Sequence, residues 1–330
     1  MKTITISNYA GAQAALRNAD LAQALYEQGG VVMDDVLISL HGIEHQKRRV
    51  TEFAVFGRGF FRYYEREVFP PTLRKTLGPY LSLGQADLVE FGYRVTMNLT
   101  ADFAGIDRPQ QNTAETEHLL QLVKCFSEGA TLVHSTRDHA EVRAEVRAAM
   151  DEFHEAFLAP SRERRLKIVE AFEAGDADES DLPRDVMTIL LKNRQKLNLP
   201  DDVFRREIAF YLQAGAHSTA NSTTHAMHEI FSWCERHPGA RERLESDIGY
   251  LQRCVHESLR LHPASPVAWR RATCPSSLQG IGDIDAGDHI VVDLSRANRD
   301  PRVFGDDADT FNPERRLETQ TWPFGLTFGY

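Results

Sequence analysis

Apolar residues recur every three or four positions along most of the chain, the spacing of one face of an α-helix. Between 137 and 158, Val142, Val146, Met150, Phe153 and Phe157 fall on one stripe and predict a long amphipathic helix. The same spacing predicts helices at about 9–19, 44–64, 85–104, 115–128, 182–197, 201–236 and 250–261. Strand patterns come late, at SPVAWRRAT (265–273) and GIGDIDAGDHIVVD (280–293). The second reads as a short hairpin turning at Gly and Asp. Residues 294–330, punctuated by Asp-Pro, Asn-Pro and Gly, keep no period and read as ordered coil. The expected fold class is mainly α with a small β region. The acidic run FEAGDADESDLPRD (172–185) reads as a solvated loop between helices. It fails as a calcium loop, because Asp181 stands where glycine is required.

Composition narrows the class. The chain has 330 residues, 42% of them hydrophobic and 26% charged, which is ordinary for a folded globular protein. A net charge of −10 disfavours nucleic acid as a partner, since phosphate neutralisation needs a basic surface. The first thirty residues lack the apolar run of a signal peptide, and no stretch reaches the ~20 apolar residues of a membrane span. A soluble, cytoplasmic protein is expected. Cys125, Cys234, Cys254 and Cys274 form no C-x-x-C pair, so reduced structural thiols are expected rather than a zinc ribbon or disulfide framework.

Three stretches carry candidate chemistry. The pairs His228-Glu229 and His256-Glu257 suggest a zinc protease, but the required second histidine four residues on is Ser232 or Arg260. No metal-ligand set is assigned. Glu257 and Arg260 stand one helical turn apart, and Arg315, in ANRDPRVFGDDADTFNPERR (297–316), can complete a Glu-Arg-Arg triad. In YLQAGAHSTANSTT (211–224), Gly215 interrupts a strongly helical stretch at a cost of ~1 kcal/mol, so a group must approach the backbone there. In HGIEHQKRR (41–49), His45 and Arg49 are anion-binding donors at i,i+4.

Taken in order, His-x-x-x-Arg at 45–49, Ala-Gly-x-x-Ser-Thr at 214–219, Glu-x-x-Arg at 257–260 and Asn-Pro-Glu-Arg at 312–315 resemble the cytochrome P-450 family of haem-thiolate monooxygenases. The terminal TWPFGLTFGY fits this resemblance. Phe328, Gly329 and Tyr330 match the first three positions of the family's Phe-Gly-x-Gly-x-His-x-Cys loop, whose cysteine binds the iron. The resemblance implies a single domain over 1–330, lacking the first helix and strands and the C-terminal haem-ligand loop.

It also implies roles. His45, Arg49 and Arg270 would bind the haem propionates through charge-assisted contacts. Ala214 and Gly215 would bring the central helix close over the haem, with the hydroxyls beyond distorting its hydrogen-bond ladder, and Phe328 would belong to the cofactor loop. His217, Ser218 and Thr219 would form the proton relay to dioxygen. His217-Ser218 replaces the family's usual acid and threonine, which predicts turnover changing between roughly pH 6 and 7. Glu257, Arg260 and Arg315 would support folding around the haem loop. Lys47, Arg48, Arg58 and Arg62 would dock a ferredoxin- or flavodoxin-type electron donor. The implied activity is oxidation of a small organic substrate. The alternatives are a catalytically silent fragment or pseudoenzyme, and a helical small-molecule-binding protein without redox chemistry.

Overall fold

Short polar residues open the helices. Asn8, Asp87, Asn112, Asp138 and Asp247 each accept a backbone N–H from the first turn that follows, satisfying donors that a helix start leaves unpaired. The structure is a computed structural model and describes residues 1–330 apart from 279, 280, 319 and 330. Its longer helices are α1 (Tyr9–Arg17), α2 (Gly42–Glu52), α3 (Phe69–Leu83), α4 (Leu88–Ala104), α5 (Thr113–Ala130), α6 (His139–Phe153), α7 (Ala159–Ala174), α8 (Asp201–Arg236) and α9 (Ile248–Leu261). The strands are β1 (Thr3–Ile6), β2 (Leu21–Gln23), β3 (Val267–Ala272), β4 (Ser276–Leu278), β5 (Gly282–Ile284) and β6 (His289–Asp293). The fold is mainly helical with a small sheet region, as expected.

Four differences have identifiable causes. The helix expected over 44–64 is α2, a 3-10 turn at Phe53–Phe56 and a second helix at Arg58–Tyr63, which continues through a π turn into α3. Pro70 and Pro71 concealed α3, yet they lie directly after the π turn that leads into it, where the helical hydrogen-bond ladder already changes register. Pro160 hid α7 in the same way. The hairpin expected within 280–293 does not form. β5 pairs with β4, whereas β6 pairs with β1 and β3; Gly280 lies outside the described residues. Finally, β1 and β2 are early strands of four and three residues, too short to show a period.

Contacts divide the chain into two compact units, Met1–Leu25 with Ser218–Tyr330 and Tyr26–His217. The first is built on a four-stranded sheet in the order β1-β6-β3-β2. β1 runs parallel to β6, with Thr3 opposite His289 and Ile6 opposite Val292, and β3 is antiparallel to both of its neighbours. Ile6, Ala12, Ile290, Val292, Leu294 and Phe304 form its main core, and Tyr250, Cys254, Leu261 and Phe311 a smaller one. The second unit is helical, with Met97, Leu119, Val123, Phe126, Val146, Met150 and Phe153 in one continuous core. The stripe predicted from Val142 to Phe157 is buried in it. α8 belongs to both units, passing from one to the other between His217 and Ser218.

Candidate functional site

α9 places Glu257 and Arg260 one turn apart, 4% and 0% exposed. Arg260 donates from Nε and Nη2 to the two oxygens of Glu257 at 2.8 and 2.7 Å. Its Nη1 donates to the carbonyls of Asn298 and Ala308 at 2.7 Å each. Arg315 reaches Glu257 Oε1 from Nε and Nη2 at 3.2 and 3.1 Å, and also bonds the Asp307 carboxylate and the Phe304 carbonyl. The triad read from the sequence is therefore assembled. Its two guanidiniums face two carboxylates, Glu257 and Asp307, so charge balances within the cluster.

Asn298 was not legible in the sequence. It is fully buried, donating from Nδ2 to the Arg260 carbonyl and to Thr327 Oγ1 at 3.1 Å each, while Oδ1 accepts the Leu326 N–H at 2.7 Å. Next to it Gly325 has φ +62°, and a Cβ there would lie 2.3 Å from Asn298 Oδ1. Glycine is thus required twice over, for its conformation and for its lack of a side chain. This turn carries Phe324, stacked on Trp322 and edge-on to Phe328. Phe328 is 70% exposed and lines a mainly apolar cavity of about 550 Å³ with Ser218, Thr219, Met227, Leu251 and Val255. Tyr330, the third position of the loop motif, lies outside the described residues. Arg270, half-buried on β3, donates to the Trp269 carbonyl at 2.9 Å and to Gln23 Oε1 at 3.4 Å.

In the other unit, α2 carries His45, half-buried, and Arg49, exposed. Arg49 has no hydrogen-bond or ion-pair partner among the described residues. Burial lowers the His45 pKa below its usual 6.5, and the nearby Arg49 guanidinium and His41 lower it further. Arg48 departs from its expected place in a surface basic cluster. Its Nη1 is drawn inward to Glu207 Oε2 at 2.6 Å and to the Asp35 carbonyl at 2.5 Å. Lys47, Arg58 and Arg62 remain exposed.

On α8, a Cβ on Gly215 would meet Thr100 Cγ2 at 2.7 Å, and Thr96 Oγ1 donates to the Ala216 carbonyl at 3.1 Å. The close approach that glycine permits here is to α4. α8 is α-helical throughout, with Thr223 and Thr224 bonding back to the carbonyls of Thr219 and Ala220. Ala214 and Thr219 are exposed and Ser218 is half-buried. The His217 ring packs edge-on against Tyr93 and hydrogen-bonds the Val123 backbone, and its Nε2 is buried without a partner. Burial lowers its pKa below 6.5, which moves its titration downward from that of a free imidazole.

The family model described as Cytochrome P450 matches residues 110–330. The chain belongs to the cytochrome P450 family. It is 26% identical over 181 residues to cytochrome P450 52A4 of Candida maltosa, a match covering 46% of this chain and 33% of that protein. It is 39% identical over 110 residues to the cytochrome P450 family protein EryCII of Saccharopolyspora erythraea, covering 32% and 29%. The chain thus spans about a third of the length of these curated relatives. The crystal structure of CalO2 superposes with a TM-score of 0.75 at 18% identity, covering 99% of this chain and 76% of that one. This similarity extends the P450 fold to nearly the whole chain.

P450s bind haem, an apolar macrocycle with two carboxylate arms. Within each unit the residues present suit part of such a group. The uncompensated pair His45 and Arg49 suits a carboxylate arm, and the apolar cavity beside Phe328 suits a ring face. Cys254 and Cys125 fit less well as iron ligands. Burial pushes the Cys254 thiol up to about 11 and raises Cys125 as well, and a metal ligand must be the thiolate. Among the described residues no cluster of three or more His, Cys, Asp or Glu is placed to hold a metal ion, and no helix is long and apolar enough to cross a membrane.

Proposed function

We propose that the protein is a haem-dependent monooxygenase that oxidises, by hydroxylation, a small organic substrate, using dioxygen and electrons from a separate ferredoxin- or flavodoxin-type donor. The haem, when bound, supplies the redox chemistry on dioxygen. His45, Arg49 and Arg270 hold its propionates. The single observation that carries this reading is the lack of any anionic partner for Arg49 beside His45 in a chain of this family. A guanidinium with no anion beside it, one turn from an imidazole, offers donors that a carboxylate would fill.

On α8, Ser218 is the hydroxyl that passes a proton, and Thr219 supplies the hydroxyl beside it. His217, neutral above its lowered pKa, precedes that relay on α8, and its buried Nε2 is the nitrogen free to join proton delivery. Phe328 and the apolar residues beside it exclude water from the cofactor's surroundings. Lys47, Arg58 and Arg62 attract an acidic electron donor, without Arg48. All described residues act within one P450-like domain in the cytoplasm.

The test is absorption spectroscopy of the complete gene product, reduced and treated with carbon monoxide. A haem band at the position of thiolate ligation is expected, with haem retention reduced in Arg49→Ala. A preparation that takes up no haem would overturn the reading and leave a helical small-molecule-binding protein.

A further inference from the structure

The Tyr26–His217 unit holds a buried ionic cluster for which the haem reading has no use. Glu52, the last residue of α2, and Glu207, two turns into α8, are 1% and 0% exposed. Glu207 accepts the Leu37 N–H on both oxygens at 3.1 Å and Arg48 Nη1 on Oε2 at 2.6 Å. Glu52 accepts the Tyr211 hydroxyl on Oε2 at 2.7 Å. Its Oε1 is buried and receives no other donor, and the two carboxyl groups lie within hydrogen-bonding reach of each other.

Counting the charges shows what is missing. The groups facing the pair are Arg48 from α2, the Tyr211 hydroxyl from α8 and the Leu37 amide from the turn Leu37–Ser39; the exposed Arg49 acts on Tyr211 only through space. One guanidinium faces two carboxylates, in contact with Glu207 and acting on Glu52 through space. If both ionise, the cluster keeps a net negative charge inside an apolar core, and the contact between the carboxylates has four acceptors and no donor. One proton neutralises the cluster and turns that contact into a hydrogen bond. Taking up a proton costs far less than burying an unpaired charge. Burial, and secondly the charge of Glu52, push Glu207 up to about 8, and burial raises Glu52 too.

We propose that Glu52 and Glu207 share one proton at neutral pH and form a latch fastening the C-terminal end of α2 to α8, which opens when mild alkali removes that proton to solvent. The two are positioning residues, holding the helix that carries His45 and Arg49. Only that last consequence rests on the haem reading; the latch itself does not.

Two measurements on the full chain test it, neither depending on haem. Infrared difference spectroscopy with carboxyl-¹³C glutamate should show a protonated carboxyl at pH 7 that disappears as pH rises through about 8 and is missing in Glu207→Gln. That substitution mimics the protonated form and leaves one ionised carboxylate, Glu52, to balance Arg48 through space. Hydrogen exchange over 42–52, corrected for its intrinsic pH dependence, should lose roughly tenfold of its protection between pH 7 and pH 9 in the wild type and stay level in Glu207→Gln. Glu52→Gln gives the same comparison if the first variant does not fold. Finding no protonated carboxyl at pH 7, or equal loss of protection in wild type and variant, overturns the latch. Haem uptake failing while both signals hold would overturn the functional reading alone.

Discussion

Two of the protein's ionic clusters are built to different balances. Around α9, Arg260 and Arg315 meet Glu257 and Asp307, two cations against two anions, with the remaining guanidinium protons directed at backbone carbonyls. Around Glu207, one guanidinium meets two carboxyl groups. Complete pairing lets the first cluster be neutral with every member charged. The second can be neutral only with a proton. Burial of charge is costly in both places, but the cost is met by geometry in one and by titration in the other.

The largest effect should come from breaking the balanced cluster. Glu257→Ala leaves the buried Arg260 without an anionic partner and should cost ~3–5 kcal/mol, seen as loss of soluble protein and an early urea midpoint. A loss below ~1 kcal/mol, the size of a surface ion pair, would erase the contrast.

Next comes the pH response. Glu207 has a folded-state pKa raised above its unfolded value, so its contribution is fully present below about 4.3 and is lost as pH rises through about 8. Wild-type stability should therefore fall across that window and level off above it. Glu207→Gln should flatten the slope, as measured by urea unfolding at several pH values.

The smallest effect separates packing from charge on the same helix. Gly215→Ala pushes a methyl group against Thr100 and should cost ~1–3 kcal/mol, equally at pH 5 and pH 9. Thr100→Ala in the same chain should recover much of it. Failure of that rescue would return Gly215 to the cofactor-clearance role expected from the sequence.

What the sequence disclosed follows the range of its signals. Repeating apolar stripes exposed the long helices, and motifs with fixed spacing exposed Glu257, Arg260 and Arg315, because both signals are local and periodic. Proline misled where it lay in a first helical turn, as at Pro70 and Pro160. β1 and β2 escaped because a three- or four-residue strand has no period, and β6 was paired wrongly because its partners lie far away in sequence. The close neighbour of Gly215, Thr100, was not legible, since only the fold brings it there. The Glu52–Glu207 pair spans 155 positions and carries no motif; an acid at an apolar helical position, as at Glu207 between Phe204 and Phe210, is the one trace it leaves.

Asn298 has a consequence for how damage spreads. One amide side chain grips both the backbone of the arginine at the centre of the balanced cluster and the backbone of the tight aromatic turn. The turn's shape is thereby slaved to the integrity of α9, so a lesion in the helix will be felt first as a misshapen bend around Phe324 and Phe328, well before the helix itself melts.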